Sequence, residues 1–287
     1  MSTEISFQPD PQLFPFESRY LETGAGRIHY IDEGEGPPIL LLHGNPTWSF
    51  LYRGIVIRLR STMRCIALDY PGFGLSAHPA GYRYTPGEHA EVVREVVQAL
   101  DLQGLTIMGQ DWGGPIGMRV ALDEVHRMHA LVMGNTWYWP TDEWHMKAFS
   151  AVMSSNVVQG WIYRKNFFVE RVMRAGLKHK MAPAVFDHYR KVLPTADSRA
   201  GVAEFPRQIT RARGWLSAIA DDVPRKLGHL PILLPWGIED FAFTPAFLDR
   251  FRLDFPHAQV RRLEAKHYIQ EDAPKEISEA ILEFLSP

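Results

Sequence analysis

Apolar residues along this chain gather into short, dense runs. Pro38-Ile39-Leu40-Leu41-Leu42 is the clearest, and residues 65–68, 105–108, 130–133 and 231–234 repeat the pattern. A run without polar interruption suits a strand whose two faces are both covered, since successive side chains point to opposite sides. Residues 27–31 alternate weakly, and residues 259–263 form a weaker strand candidate. Helical patterns too long for hairpin turns, such as residues 88–100 and 115–125, separate several of the runs. Strand and helix in alternation predict an α/β fold with a mostly parallel, doubly wound sheet.

From about Trp139 to Ala220 the strand-like runs stop, and the sequence turns aromatic and basic, in several short helical patterns. This divides the chain into a first core segment (1–139), an inserted helical cap (140–220) and a second core segment (221–287). Within the insertion Arg164, Lys165, Arg171, Arg174, Lys178 and Lys180 mingle with Phe167, Phe168, Val169, Val172 and Met173. That spacing reads as an amphipathic helix with a solvated basic face rather than a nucleic-acid site.

Composition narrows the partners. The 287 residues are 46% hydrophobic and 22% charged, with a formal net charge of -2 and both signs interspersed. Such a surface has no electrostatic pull toward nucleic acid or an anionic membrane, which points to a small neutral partner. The polar, acidic stretch from Met1 to Pro11 lacks the features of a signal peptide, and no apolar run approaches ~18 residues, so a cytoplasmic location is expected. The single cysteine, Cys65, excludes an internal disulfide and sits in an apolar run, where a packing role is expected. Nothing in the pattern specifies an oligomeric state.

Chemistry enters at Gly109-Gln110-Asp111-Trp112-Gly113-Gly114, between a strand and a helix. Small residues around a central nucleophile are the signature of a nucleophile elbow, a turn too tight for larger neighbours. Asp111 occupies the nucleophile slot. An aspartate is ionised at neutral pH and needs no base to attack. Attack on a carbonyl would give an unstable anhydride, whereas a saturated carbon gives an ordinary ester. Alkyl halides and epoxides therefore fit as substrates. A plain helix-capping role is the competing reading for an acidic residue here.

In α/β-hydrolase order, an acid and then a histidine follow the nucleophile on later loops. His267 lies after the last strand candidate, where a neutral imidazole could deprotonate water attacking an Asp111 ester. Asp240, in Trp236-Gly237-Ile238-Glu239-Asp240, is placed to orient it, with Glu239 the nearest competitor. The other position used for this acid, after residues 131–133, holds Asn135, which cannot offset imidazolium charge. The loop His43-Gly44-Asn45-Pro46 follows an early strand, so backbone N–H groups of Asn45 and Trp112 are expected to form the oxyanion hole. His43 reads as a structural hydrogen-bonding residue.

With these residues assembled, the chain resembles the haloalkane dehalogenases over nearly its whole length. The match runs from Phe16-Glu17-Ser18-Arg19-Tyr20 through His43-Gly44-Asn45-Pro46-Thr47-Trp48 and Gln110-Asp111-Trp112-Gly113 to His267. The resemblance implies an α/β-hydrolase fold and the subfamily with an Asp-His-Asp triad and an Asn-Trp halide pair. Halide would then be held by the Trp112 indole and the Asn45 amide, both hydrogen-bond donors. Substrate would be a small halogenated alkane, with water as the second reactant, halide as product, and neither metal nor organic cofactor.

Epoxide hydrolases share the His-Gly-x-Pro loop and the Asp-Trp elbow, but the leaving oxygen stays on their product and takes a proton, usually from cap tyrosines. Tyr138, Tyr163 and Tyr189 are the candidates here, while Asn45 stands where those enzymes usually carry an aromatic residue. Coelenterazine-type luciferases and hydrolase-fold receptors are further readings, and neither has a positive signal in this chain. Trp137, Trp139, Trp144, Phe149, Trp161 and Phe168 are candidates to line a pocket.

Overall fold

In the computed structural model, residues 7–286 are described. Residues 1–6, part of the stretch read above for a signal peptide, lie outside the described residues. Eight strands form one sheet: β1 (Arg19–Thr23), β2 (Gly26–Glu33), β3 (Pro38–Leu42), β4 (Arg64–Leu68), β5 (Leu105–Asp111), β6 (Met128–Thr136), β7 (Ile232–Gly237) and β8 (Gln259–Leu263). Their spatial order is β1-β2-β4-β3-β5-β6-β7-β8. Strands β3 to β8 run parallel, and the β1–β2 hairpin pairs antiparallel onto β4.

The apolar runs become the central strands: Ile39 to Leu42, Cys65 to Leu68 and Leu105 to Met108 are buried throughout. Cys65 packs in β4, and burial pushes its thiol up to about 12, the state of an inert core thiol. Strand β1 has no apolar run because it is an edge strand with largely exposed side chains, and β8 at the opposite edge is exposed over four of its five residues.

Strand order reverses at β3, which has β4 on one side and β5 on the other. Right-handed crossovers on the two sides of such a reversal leave on opposite faces of the sheet. Accordingly α1 (Arg53–Leu59) packs with the last helix, while α2 (Pro86–Ala99) packs against α3 (Gly113–Asp123). Thr85 and Glu88 close the α2 N-terminus with a reciprocal capping box. A crevice forms at the strand ends where the strand order reverses, the usual ligand position in open α/β sheets. The loops after β3 and β5 border it.

Four helices intervene between β6 and the next core helix: α4 (Trp144–Ser154), α5 (Asn156–Lys165), α6 (Pro183–Lys191) and α7 (Ala200–Arg211). Of these, α4, α5 and α7 pack on one another. A wide helical turn at Phe168–Met173 and the irregular loop after it carry the chain to α6. Helix α8 (Arg213–Lys226) then runs straight through residue 220, where the insertion was expected to end. It continues because its buried stripe of Leu216, Ile219 and Val223 spans that point, and it packs on α3. After β7 come α9 (Pro245–Asp254), then β8, α10 (Ile269–Asp272) and α11 (Pro274–Leu285). No helix among the described residues is long and apolar enough to cross a membrane.

Candidate active site

Asp111 ends β5 with φ at 51°, a left-handed backbone that the surrounding packing must hold in place. Two close approaches explain the glycines around it. A Cβ on Gly113 would lie 2.0 Å from the Leu42 carbonyl oxygen, and one on Gly44 would lie 2.4 Å from the Asp111 carboxylate. Glycine at these points lets the β3 loop and the elbow meet. Thr136 Oγ1 donates to the Asp111 carbonyl at 2.6 Å and fixes the turn from the β6 side.

The carboxylate has two different environments. Oδ1 accepts the Asn45 backbone N–H at 2.7 Å, and the Trp112 backbone N–H is a further influence favouring the ionised carboxylate. Oδ2 lies 3.8 Å from His267 Nε2. Burial raises the Asp111 carboxyl above its ordinary value, while His267 and the Asn45 and Trp112 N–H groups pull it back.

His267 Nδ1 lies 3.0 Å from Asp240 Oδ2. Asp240 is buried; its Oδ1 accepts the Ala242 N–H at 2.7 Å and its Oδ2 accepts Asn135 Nδ2 at 2.9 Å. Burial opposes ionisation of Asp240, but His267 and these donors outweigh it and hold the carboxyl below the usual range. For His267, burial lowers the imidazole, yet Asp240, Asp111 and Asp272 together reverse that and leave it raised. Glu239 points to the exterior, 2.6 Å from Lys178 Nζ. Asn135, at the alternative acid position, braces Asp240 and also bonds both backbone groups of Gly237.

Trp112 is buried, stacked on Phe205 and edge-on to Trp137. Its indole N–H has no hydrogen-bond acceptor among the described residues. Asn45 Nδ2 donates to the Val202 carbonyl on α7 at 3.2 Å, leaving its second hydrogen uncommitted. His43 holds the loop, with Nδ1 bonded to the Gly44 carbonyl and Nε2 accepting the Tyr70 N–H. Burial lowers it to about 4, so it is a neutral structural group.

Asn45, Asp111, Trp112 and His267 line one cavity of about 250 Å³. Trp137, Phe149 and Phe168 line it too, as do Met146, Val172 and Phe243. The other aromatic candidates are elsewhere: Trp139 packs on Phe247 and Phe251, and Trp144 and Trp161 are 78% and 42% exposed. Apolar contacts behind the loop hold the first, while the other two face outward from α4 and α5. None of Tyr138, Tyr163 and Tyr189 lines the cavity; Tyr138 donates to Asp254 and Tyr189 to Glu271. Tyr268 does line it, with its hydroxyl committed to the Asn45 carbonyl at 3.3 Å.

Several contributors carried no sequence signal. The His267 N–H bonds the Gly176 carbonyl at 3.0 Å, tying the histidine loop to the inserted segment. Asp272 accepts the backbone N–H groups of Lys178 and Lys266 at 3.1 and 3.0 Å. Gln110 reaches His267 directly. An acid or amide on a loop looks like any solvated side chain until its partners are placed.

The alpha/beta hydrolase fold family model matches residues 37–274, which agrees with the sheet order and the elbow and fixes the structural class. Within that class, the chain is 55% identical over 281 residues to haloalkane dehalogenase 2 of Mycobacterium tuberculosis, covering 97% of this chain and 98% of the relative. It is 32% identical over 286 residues to a cis-3-alkyl-4-alkyloxetan-2-one decarboxylase of Shewanella oneidensis, covering 96% and 90%. A solved haloalkane dehalogenase from Bradyrhizobium elkani superposes with a TM-score of 0.87 at 23% identity, over 94% of this chain and 97% of that one, a likeness of fold. The chain belongs to the haloalkane dehalogenase family.

Proposed function

We propose that this chain hydrolyses the carbon–halogen bond of small haloalkanes through a covalent ester on Asp111. The carrying observation is the division of labour on one carboxylate: Oδ1 is held by the Asn45 main-chain N–H while Oδ2 faces His267. Oδ2 attacks the carbon bearing the halogen; the C–O bond forms as the C–X bond breaks, and the negative charge passes to halide. The Trp112 indole N–H and the uncommitted Asn45 amide hydrogen receive that anion.

Water then gives a proton to His267 Nε2 as its oxygen attacks Cγ of the ester. The oxyanion develops on Oδ1, where the Asn45 and Trp112 N–H groups stabilise it. Collapse breaks the Cγ–Oδ2 bond, the departing alkoxide takes the proton from His267, and Asp111 ionises to release the net proton. Asp240 keeps hydrogen on Nδ1 and offsets the transient imidazolium. The inserted helices act as the cap, supplying Met146, Phe149, Phe168 and Val172 to an apolar wall. A cavity of about 250 Å³ is below the roughly 300–1,000 Å³ of drug-sized sites, which suits a short alkyl chain. Epoxide opening is disfavoured because no candidate cap tyrosine presents a hydroxyl to the cavity.

Halide release should be assayed in parallel on chloroalkanes, bromoalkanes, an epoxide and an oxetan-2-one, the last being the substrate class for which one relative is named. Halide and alcohol from the haloalkanes are expected. Asp111→Ala should abolish release, and His267→Phe should give a halide burst with an alkyl adduct on Asp111 visible by mass spectrometry. Turnover of the epoxide or the oxetanone without halide release from any haloalkane would overturn the proposal.

A further inference from the structure

Gln110 directly precedes the nucleophile and is fully buried. Its Nε2 lies 3.0 Å from the His267 carbonyl oxygen and 3.2 Å from His267 Nε2. The first contact fixes which end of the amide is which, because a reversed amide would set two oxygens against each other. One NH₂ group thus grips the histidine at both its main chain and its ring.

The second contact discriminates between protonation states. Asp240 accepts from Nδ1, so in the neutral ring Nε2 carries the lone pair and can accept from Gln110. In the imidazolium, an Nε2–H would face the Gln110 N–H, donor against donor. Every charged group facing the ring favours the imidazolium: Asp111 at the β5 elbow, Asp240 after β7 and Asp272 on α10. Tyr268 beside it is neutral and bonded to Asn45, Phe243 stacks on it, and the cap offers His145, whose Nε2 is bonded to the Ala242 carbonyl. A ring protonated at rest has no Nε2 lone pair to take the proton from the attacking water.

We propose that Gln110 is a positioning residue for the hydrolytic half-reaction: anchored on the His267 carbonyl, its amide donates to Nε2, keeps the ring neutral and aims it at the Asp111 ester. This rests on the reading of His267 as the hydrolytic base and deepens it. When water takes over the Nε2 lone pair, the carbonyl bond keeps the amide in place. The imidazolium that follows finds a donor where it needs an acceptor, which favours prompt return of its proton to the departing alkoxide oxygen.

The test is transient kinetics with 1-bromohexane, following the halide burst and ester hydrolysis separately across pH, in the wild type, Gln110→Leu and Gln110→Glu. In Gln110→Leu the burst rate near neutral pH should stay within about threefold while hydrolysis slows about tenfold or more, and the acid limb of the hydrolysis profile should move up by about one pH unit. Gln110→Glu sets an acceptor against Nε2, so its limb should move further upward, with hydrolysis partly recovering at alkaline pH. That recovery is a readout that loss of packing would not produce. Should Gln110→Leu fail to fold, the limb position in Gln110→Glu decides alone. Hydrolysis profiles unmoved from wild type in the folded variants, or burst and hydrolysis falling in equal proportion at every pH, would overturn the proposal. Absence of any ester in His267→Phe would overturn the dehalogenase reading instead, which keeps the two failures apart.

Discussion

Two neighbouring acids, Asp240 and Glu239, differ by one position in sequence and completely in environment. Asp240 is buried with His267, Ala242 and Asn135 around its oxygens, while Glu239 is salt-bridged at the surface. Asp240→Asn should therefore reduce turnover by about 10²-fold or more, because the amide neither fixes the tautomer nor offsets imidazolium charge. Glu239→Gln should leave it within about twofold, as expected for an exposed pair. Steady-state halide release on the two variants measures this, and the reverse order would assign the acid to Glu239. The meeting of Asp111, Asp240 and His267 was legible in the sequence because the elbow tolerates few residue types and the loop order is fixed. The approach of Gln110 to His267 was not, since one buried amide beside Asp111 has no pattern of its own.

Asp111 carries a conflict between stability and chemistry. Burial raises its carboxyl, so the folded chain holds that proton more tightly than the unfolded chain does. A raised value contributes stability that is complete below the ordinary carboxylate range and is lost as pH rises through the folded value. At neutral pH the ionised group is thus a net liability to the fold. Asp111→Asn, a neutral near-isostere, should raise Tm at about pH 7 by a few degrees, with the gain closing toward about pH 4. Thermal unfolding at the two pH values checks this; a Tm that falls at neutral pH would contradict it.

At the scale of elements, the same physics that made strands readable hid the ties between them. Strands β3 to β7 advertise themselves because both faces are buried, whereas β1 and β8 at the edges carry ordinary polar side chains. The tie between the insertion and the core is less visible still, because it is made of backbone. The Gly176 carbonyl takes the His267 N–H, and Asp272 on α10 gathers backbone N–H groups from Lys178 and Lys266. A Cβ on Gly176 would lie 2.8 Å from the Tyr268 ring, so the two segments are in direct contact. Asp272→Ala removes the acceptor and should cost about 2 kcal/mol of stability, as expected for backbone donors left partly unsatisfied. Since the loosened loop carries His267 and not Asp111, ester hydrolysis should slow more than the halide burst. Equal slowing of both steps would mean that Asp272 supports the fold without bearing on the histidine.

Between neutral pH and about pH 5, where carboxylates largely stay ionised, the whole molecule's response to acid is set by its buried histidines, which the sequence supplies only as twelve scattered residues. Burial lowers His43 to about 4 and His89 to about 3, and lowers His78 as well. For a histidine with a depressed folded value, stability is fully present above the ordinary 6.5 and is lost as pH falls toward the folded value, because the unfolded chain takes up the proton first. Between neutral pH and about pH 5, His43 and His89 should each cost ~2 kcal/mol. His267 acts in the opposite sense above the same point, since its carboxylate neighbours leave it raised. Stability should therefore peak close to the ordinary histidine value and fall on both sides. His89 allows a clean test: it packs among Tyr70, Phe73 and Phe205, its Nε2 has no hydrogen-bond partner among the described residues, and its Nδ1 makes a 3.3 Å contact with Tyr82, with the Tyr84 backbone nearby. In His89→Phe the urea midpoint should change little at about pH 7.5 and should exceed wild type at about pH 5, because an aromatic ring of similar shape fills the site and has no proton to gain. If wild type and variant lose stability in parallel on acidification, the acid sensitivity arises at groups other than this histidine.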